Sequence, residues 1–248
     1  MDILYPIGPH SKTDNLELKC SLRSIDEYGI DIDNVYVVGY PPEWLNKNVT
    51  KIYKPDEFKP INAKLKNKLI AQNILYALDN SDIGENFCLS MDDHFYTKPT
   101  KFKNYPIYVK SIWYAPDGKL PSDKIGQDYA DFLVDVKQTL ESLGLSTYYF
   151  TIHKNMRFTR KDVDACRHLF KYCFDNDLPI EFSILVYNYK YTQNNFKFKI
   201  IKDSKIYRGL DWWKTEMNES FSLDDFKVGS SLYILLSNRY PNKSKYEK

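Results

Sequence analysis

The sequence lacks the glycine-rich loops that bind phosphate in many nucleotide-dependent enzymes. Only 9 of its 248 residues are glycine, and neither a GxGxxG fingerprint nor a Walker sequence occurs. A GxSxG elbow and an HExxH zinc motif are absent too. These absences argue against the commonest dinucleotide-binding, nucleoside triphosphatase, serine-hydrolase and zinc-protease classes.

Long apolar runs, metal-type cysteine spacings and a strong net charge are also missing. No apolar run approaches the roughly 20 residues of a membrane span, and the N-terminus lacks the pattern of a signal peptide. The four cysteines have no metal-ligand spacing, which predicts buried free thiols in a reducing cytoplasm. A formal charge of +2 shows no dominant bias toward nucleic acid, although a local basic face stays open.

The first 100 residues alternate between short apolar strands and amphipathic helices. One helix carries Leu18, Leu22 and Ile25 on a single face and ends at Gly29, and a second runs from about 63 to 78. Strands are predicted at 3–5, 35–38, 52–53 and 87–90. This order predicts an α/β fold with a largely parallel sheet. We expect a single domain over residues 1–248, because no repeat or low-complexity linker occurs.

The second half has a less regular pattern. It predicts a helix over about 127–143 and another that Thr159 caps. Residues 179–189 fit either a helix or a strand, and 197–201 alternate like an edge strand. Ser222 is predicted to cap a last helix that ends before Pro241.

An acidic cluster, Asp92-Asp93-His94, directly follows the apolar strand at 87–90. Ligands bind outside the carboxyl ends of strands in open α/β sheets, and buried carboxylates need a partner. A divalent cation that bridges these side chains to a diphosphate would supply one, and the imidazole favours Mn²⁺ over Mg²⁺. The alternative is a loop whose acids only turn the chain.

Three other segments have both a functional and a structural interpretation. His153 follows an aromatic run and could be a metal ligand, an acceptor contact, a base or a structural residue. Lys98, Lys101 and Lys103 alternate with aromatic residues, as in a phosphate or nucleic-acid surface or a solvated loop. The pair Trp212-Trp213 fits a sugar platform or a hydrophobic anchor.

The C-terminal segment is basic. Lys243 lies in the run Arg239-Tyr240-Pro241-Asn242-Lys243-Ser244-Lys245, which could fold a cation over a diphosphate. A frayed basic tail is the alternative.

Three blocks in the first 100 residues resemble the Stealth capsular polysaccharide phosphotransferases, and they occur in the same order. The blocks are Asp14–Ile25, Val35–Asn46 and Phe87–Phe95. In the second half, 153–156 and 240–247 resemble segments of small GT-A-like glycosyltransferases from bacteria and phages.

The resemblance implies a GT-A-like, nucleotide-diphospho-sugar transferase fold. Residues 1–100 would then bind the nucleotide sugar, and 101–248 would bind the acceptor. By this analogy Asp93 is the principal metal or donor contact, supported by Asp92 and His94, and His153 is the second catalytic candidate. The implied donor-binding residues are Tyr5, Pro6, Ile7 and Gly8 around the nucleoside, Arg23 and Lys68 near base or phosphate, and Asn73 at the ribose.

Sugar transfer is the first functional hypothesis. A hexosyl- or pentosyltransferase would use Mn²⁺ or Mg²⁺ and a nucleotide-sugar donor, most favourably a UDP-sugar. Its acceptor would be a surface glycan or a hydroxymethylated base in phage DNA. The alternatives are a Stealth-like sugar-1-phosphate transferase and a non-catalytic nucleotide- or sugar-binding module. The N-terminal TWVDG sequence of Stealth proteins is replaced by Tyr5-Pro6-Ile7-Gly8, which favours glycosyl transfer over phosphotransfer.

Overall fold

A five-stranded sheet lies at the centre of the structure, a computed structural model that describes residues 1–9, 15–54, 62–109, 124–150, 153–200, 205–206, 218–223 and 228–248. Its spatial order is β3 (Val49–Tyr53), β2 (Val35–Gly39), β1 (Asp2–Ile7), β4 (Asn86–Leu89) and β7 (Met156–Thr159). The first four strands are parallel, and β7 is antiparallel to β4. The predicted α/β fold with a mostly parallel sheet is confirmed.

Helices α1 (Leu16–Tyr28) and α2 (Ala63–Asp79) cover opposite faces of this sheet. Successive side chains of a strand point to opposite faces, and Ile3 of β1 packs in the cluster that contains the apolar side of α1. Its neighbour Leu4 packs in the cluster that contains the apolar side of α2. As predicted, α1 ends at Gly29, whose amide donates to a carbonyl of the last turn.

Four helices of the second half extend the core on the α2 side. They are α3 (Lys124–Ser142), α4 (Arg160–Ala165), α5 (Arg167–Asp175) and α6 (Phe182–Asn194). The Thr159 side chain accepts the Asp162 amide at the start of α4, so the predicted cap is confirmed. The ambiguous segment 179–189 is helical from Phe182 onward, and the Glu181 side chain caps the start of α6 by accepting the amide of Ile184.

Two small sheets complete the strands of the described residues. One has the order β5 (His94–Tyr96), β10 (Ser220–Leu223), β9 (Lys205–Ile206), and the other pairs β6 (Tyr108–Val109) with β8 (Lys199–Ile200). Of the strand predicted over 197–201, Lys199–Ile200 form β8, and residue 201 lies outside the described residues.

The predicted helix cap at Ser222 is wrong. Ser222 is buried within β10, opposite His94. The last helix, α7 (Ser231–Arg239), begins after Ser230, whose side chain accepts the Tyr233 amide. Both serines precede helix-compatible residues, so the sequence pattern alone does not separate them.

The cysteines are the buried free thiols that the sequence predicts. All four cysteines are buried and free, namely Cys20, Cys88, Cys166 and Cys173. Among the described residues, no helix combines the length and apolar character needed to cross a membrane.

Candidate active site

Three strand ends meet at one edge of the central sheet. The Ser90 amide continues the pairing of β4 with β1 by donating to the Leu4 carbonyl at 2.9 Å. On the other side of β4, Leu89 lies opposite Met156, the first residue of the antiparallel β7. The residues after β1 and β4 therefore share this edge with the residues that precede β7. This topology brings the acidic cluster and the His153 segment to the same edge.

Asp93 and His94 face each other at this edge. The Asp93 Oδ1 atom lies 3.8 Å from the His94 Nε2 atom. The His94 side chain is 5% exposed, whereas that of Asp93 is 27% exposed. The imidazole is thus fixed within the protein while the carboxylate remains open to solvent, and Asp92 is half-buried beside them.

The electrostatics of Asp92 show that negative charge accumulates here. Burial, together with the nearby charges of Asp93 and Glu17, raises the pKa of Asp92 to about 7. Lys66, in the first turn of α2, acts in the opposite direction. A cation at this edge would relieve the repulsion between the carboxylates. Nothing in the local sequence pattern around Lys66 links α2 to the acidic cluster, so its place here could not be predicted.

His94 is held by a buried polar network from four other elements. Its Nδ1 lies 2.8 Å from Asn155 Oδ1, and that oxygen also accepts from the Ser90 hydroxyl at 3.1 Å. The Ser21 hydroxyl donates to the His94 carbonyl at 2.6 Å. Because Ser21 uses its only proton there, the Tyr5 hydroxyl 2.9 Å away donates to Ser21. Burial raises the pKa of Tyr5, so it keeps the proton that this bond needs.

Asn155 is a functional candidate that only the structure reveals. It is 1% exposed and lies immediately before β7, next to the end of β4. The one available signal is its position two residues after His153, but only the antiparallel pairing of β7 with β4 brings it to His94.

His153 itself lies at the same edge, two residues before Asn155, and is half-buried. The next residue, Lys154, donates from Nζ to Ser220 Oγ at 2.9 Å and lies 5.8 Å from the centre of the Tyr108 ring. These two contacts of Lys154 anchor the segment to the neighbouring strands. The pairing of β7 with β4 brings this backbone segment to the acidic edge, and the role of His153 in catalysis stays a prediction.

The four predicted nucleoside-pocket residues divide into a buried and an exposed part. Tyr5, Pro6 and Ile7 are buried in β1, and Gly8 is exposed directly beyond the strand. The Tyr5 side chain points into the core toward Ser21. Any contact with a nucleoside at this strand end would therefore come from the backbone and from Gly8.

At the end of β2, the backbone at Gly39 passes very close to the end of β1. Gly39 has a φ of 100°, and a Cβ there would lie 2.4 Å from the Ile7 carbonyl oxygen and 3.1 Å from Asn73 Nδ2. Only glycine fits this position. Asn73, the predicted ribose contact, is 5% exposed, and its Oδ1 has no partner among the described residues. A buried acceptor without a donor is costly, and the role of Asn73 as a ribose contact stays a prediction.

Arg23 and Lys243 belong to a C-terminal clasp. Arg23 binds both carboxylate oxygens of Glu247 at 2.8 Å and donates to the Tyr240 carbonyl at 2.7 Å. Lys243 donates to the carbonyl of Lys248 at 2.9 Å. The clasp replaces the frayed tail of the sequence analysis. It also holds the Arg23 guanidinium against the tail, and a contact of Arg23 with base or phosphate stays a prediction.

Lys68 is likewise committed elsewhere. Its Nζ lies 3.2 Å from Asp177 Oδ1, and Lys64 contacts the other oxygen of that carboxylate at 2.7 Å. Asp177 is in the loop between α5 and α6, so this pairing joins α2 to the second half of the chain. The structure does not bring Lys68 together with the acidic cluster.

The basic segment after β5 is a solvated loop with its aromatic residues turned inward. Lys98, Lys101 and Lys103 are exposed, and the Asp31 carboxylate accepts the amides of Phe102 and Lys103 at 2.6 and 2.9 Å. The aromatic residues of this segment are buried, namely Phe95, Tyr96, Phe102 and Tyr105. They therefore provide no stacking surface for bases. Trp212 and Trp213 lie outside the described residues.

Comparison with solved structures identifies the architecture. The galactosyltransferase LgtC, in complex with donor and acceptor sugar analogs, matches with a TM-score of 0.50 at 10% identity, over 99% of this chain and 98% of that chain. The fold is GT-A-like. An active-site mutant of LgtC matches at TM-score 0.49 and 10% identity, over 99% of this chain and 98% of that one. A glycosyltransferase involved in glycosylation of the major capsid of PBCV-1 matches at 0.45 and 10% identity, over 97% and 98% of the two chains.

Comparison with protein-family models gives no match, and comparison with curated proteins gives none either.

The GT-A-like architecture raises the question of whether the edge fits a divalent ion. Within the described part of the chain, no group of three or more His, Cys, Asp or Glu side chains is arranged to hold a metal. Asp93 and His94 offer one carboxylate oxygen and one imidazole nitrogen 3.8 Å apart. Mg²⁺ commonly binds one or two carboxylates and completes its shell with substrate phosphates and water. The donor set therefore fits an ion that the diphosphate of a substrate completes.

Proposed function

We propose that this protein is a metal-dependent glycosyltransferase that moves a sugar from a nucleotide-diphospho-sugar to an acceptor hydroxyl. The observation that carries the proposal is the Asp93–His94 pair, fixed at the carboxyl end of β4 in a GT-A-like sheet. Ligands of open α/β sheets bind at this edge.

Each strand end has a distinct role in the proposal. The backbone beyond Ile7, the narrow approach at Gly39 and the unpaired Asn73 oxygen support nucleoside binding between β1 and β2. Asp93 and His94 would hold Mn²⁺ or Mg²⁺ between β4 and the diphosphate. When bound there, the ion neutralises the charge of the departing nucleoside diphosphate as a Lewis acid.

The protein groups contribute positioning and electrostatics to the transfer. Lys66 lies close enough to Asp92 to lower its pKa, so its charge is also near the proposed diphosphate position. His153 stands at the same edge and is proposed as an acceptor contact or base. Holding the donor and the acceptor close together in a reactive orientation accounts for a large part of such catalysis.

A UDP-sugar donor and a glycan acceptor are the proposed substrates. The first structural match holds donor and acceptor sugar analogs. The rival acceptor, a hydroxymethylated DNA base, must be extruded and stacked on aromatic side chains. The aromatic residues of the basic loop are buried instead, which favours the glycan.

The test is a thermal-shift panel of nucleotide sugars with and without Mn²⁺, followed by identification of the released nucleotide. A donor at 100 times its Kd stabilises the folded state by about 2.7 kcal/mol. We expect stabilisation that needs Mn²⁺ and release of UDP with an acceptor glycan. Release of UMP would instead identify a sugar-1-phosphate transferase, and binding without turnover would identify a binding module.

A further inference from the structure

The side-chain amide of Asn155 contacts two buried residues, His94 and Ser90. It is 1% exposed, and its Oδ1 lies 2.8 Å from His94 Nδ1 and 3.1 Å from the Ser90 hydroxyl. Ser90 itself is fully buried. The amide thus bridges the end of β4 to the first residue of β5.

The orientation of this amide determines which nitrogen of His94 carries the proton. A carbonyl oxygen only accepts, so a contact of 2.8 Å requires that Nδ1 donates a hydrogen. In a neutral imidazole the other nitrogen then has a lone pair. That nitrogen, Nε2, is the atom that faces Asp93 Oδ1 at 3.8 Å.

A competing contact is weaker. The Met91 amide lies 3.5 Å from the same Nδ1 atom and would need it as an acceptor. This distance is at the outer limit of a hydrogen bond, whereas 2.8 Å is near the optimum. Of these two contacts, the shorter one to Asn155 favours the Nδ1–H tautomer of His94.

The other end of the amide is energetically unfavourable. Asn155 Nδ2 is buried without a hydrogen-bond partner among the described residues. A buried amide NH₂ group without a partner is uncommon in folded proteins. The two contacts of its oxygen are what this asparagine contributes.

We propose that Asn155 is a positioning residue that keeps His94 in the Nδ1–H tautomer and presents Nε2, next to Asp93, as an electron-pair donor to a cation. Metal-ligating histidines commonly donate their second ring N–H to a neighbouring oxygen, which orients the ring and fixes the tautomer. The inference deepens the proposed function, since the cation site is part of that proposal.

The direct test is the ¹⁵N NMR spectrum of histidine-labelled protein without metal or nucleotide, well above the ordinary imidazole pKa of about 6.5. The chain has 4 histidines, so a His94→Gln variant assigns the signal. We expect the Nδ1–H tautomer for His94. The Nε2–H tautomer in the unmodified protein would overturn the proposal.

Two substitutions of similar size sharpen the test. Asn155→Leu removes the acceptor, so we expect the Nε2–H tautomer to gain population and Mn²⁺ affinity in the presence of UDP to fall by about 10-fold or more. Asn155→Asp keeps an acceptor oxygen and should retain the Nδ1–H tautomer. An unchanged tautomer in Asn155→Leu would contradict the proposal. If that variant does not fold, the spectrum of the unmodified protein alone decides the question.

Asn188 provides the matched control. It is also a fully buried asparagine, but it bonds within α6 and to the segment at 146–148. Asn188→Leu should lower stability without any change in the His94 tautomer. The tautomer is measured without metal, so its result does not depend on cation binding. A protein that has the Nδ1–H tautomer but binds no Mn²⁺ with UDP would refute the proposed function. It would leave the positioning of His94 by Asn155 intact.

Discussion

The edge after β4 and the basic loop at 98–105 both combine charged and aromatic residues, yet they fold in opposite ways. At the edge, the aromatic Tyr5 supports a buried network that holds His94, while Asp93 faces solvent. In the loop, the lysines face solvent and the aromatic rings fill the core.

The difference follows from what each charged side chain has as a partner. The carboxylates after β4 crowd one another, and burial raises the pKa of Asp92 to about 7. The loop lysines stand in water, where a charge has no desolvation cost. Residue types alone therefore do not identify a site, whereas partly buried charges without compensation do.

The largest expected effect is loss of transfer on Asp93→Asn. The substitution removes a charge from the proposed cation site, so we expect activity to fall by about 10³-fold with little change in thermal stability. A steady-state assay of UDP release measures it. As a control, Asp177→Asn changes a surface carboxylate paired with lysines and should retain activity. Near-normal turnover of Asp93→Asn would contradict the proposed cation site at Asp93.

Phe102→Ala tests the loop from its buried side. Phe102 is fully buried and packs edge-on to Tyr96 with ring centres 5.1 Å apart. Truncating a buried Phe costs about 3–5 kcal/mol, which urea unfolding measures. Activity per folded molecule should be retained. A stable variant with weakened substrate binding would mean that this ring belongs to a binding surface.

The C-terminal clasp gives a pH-dependent effect of intermediate size. Burial alone would raise the pKa of Glu247, but its hydrogen bonds with Arg23 and Ser244 outweigh burial, and the net pKa lies below the ordinary 4.5. A lowered folded-state pKa stabilises the protein above about pH 4.5, and this contribution is lost as pH falls through the folded-state value. Glu247→Gln should cost about 2 kcal/mol at neutral pH.

Unfolding of the two proteins across the acid range checks this prediction. The difference in free energy of unfolding between the unmodified protein and Glu247→Gln should shrink below about pH 4.5. A difference that stays constant with pH would show that the carboxylate charge does not stabilise the clasp.

The smallest effect is expected for the exposed loop charges. Replacing Lys98, Lys101 and Lys103 by serine should change stability by no more than about 0.5 kcal/mol per site and leave glycan transfer unaffected. Activity measured across salt concentrations is the readout. A steep salt dependence that disappears in the triple variant would instead support a nucleic-acid acceptor.

The sheet and the acidic edge were predictable because they depend on local patterns. Apolar runs with helical or alternating spacing located β1, β2, β4, α1 and α2, and their order gave the parallel sheet. The carboxylates directly after β4 then lay at the ligand-binding end.

The remaining contacts depend on pairings between distant segments. Asn155 reaches His94 only because β7 is antiparallel to β4, and Arg23 meets Glu247 across 224 positions. Ser222 lies in β10, where it pairs with His94 of β5. The local sequence pattern does not show this pairing, so it predicted a helix cap at the wrong serine.

The most direct measurement of the central claim is pulsed EPR of Mn²⁺ added to the protein with UDP. The account predicts a nitrogen coupling from one imidazole, present with UDP, lost in His94→Gln and kept in His153→Gln. Mn²⁺ that shows no nitrogen coupling, or the same coupling after His94→Gln, would contradict a cation held by Asp93 and His94.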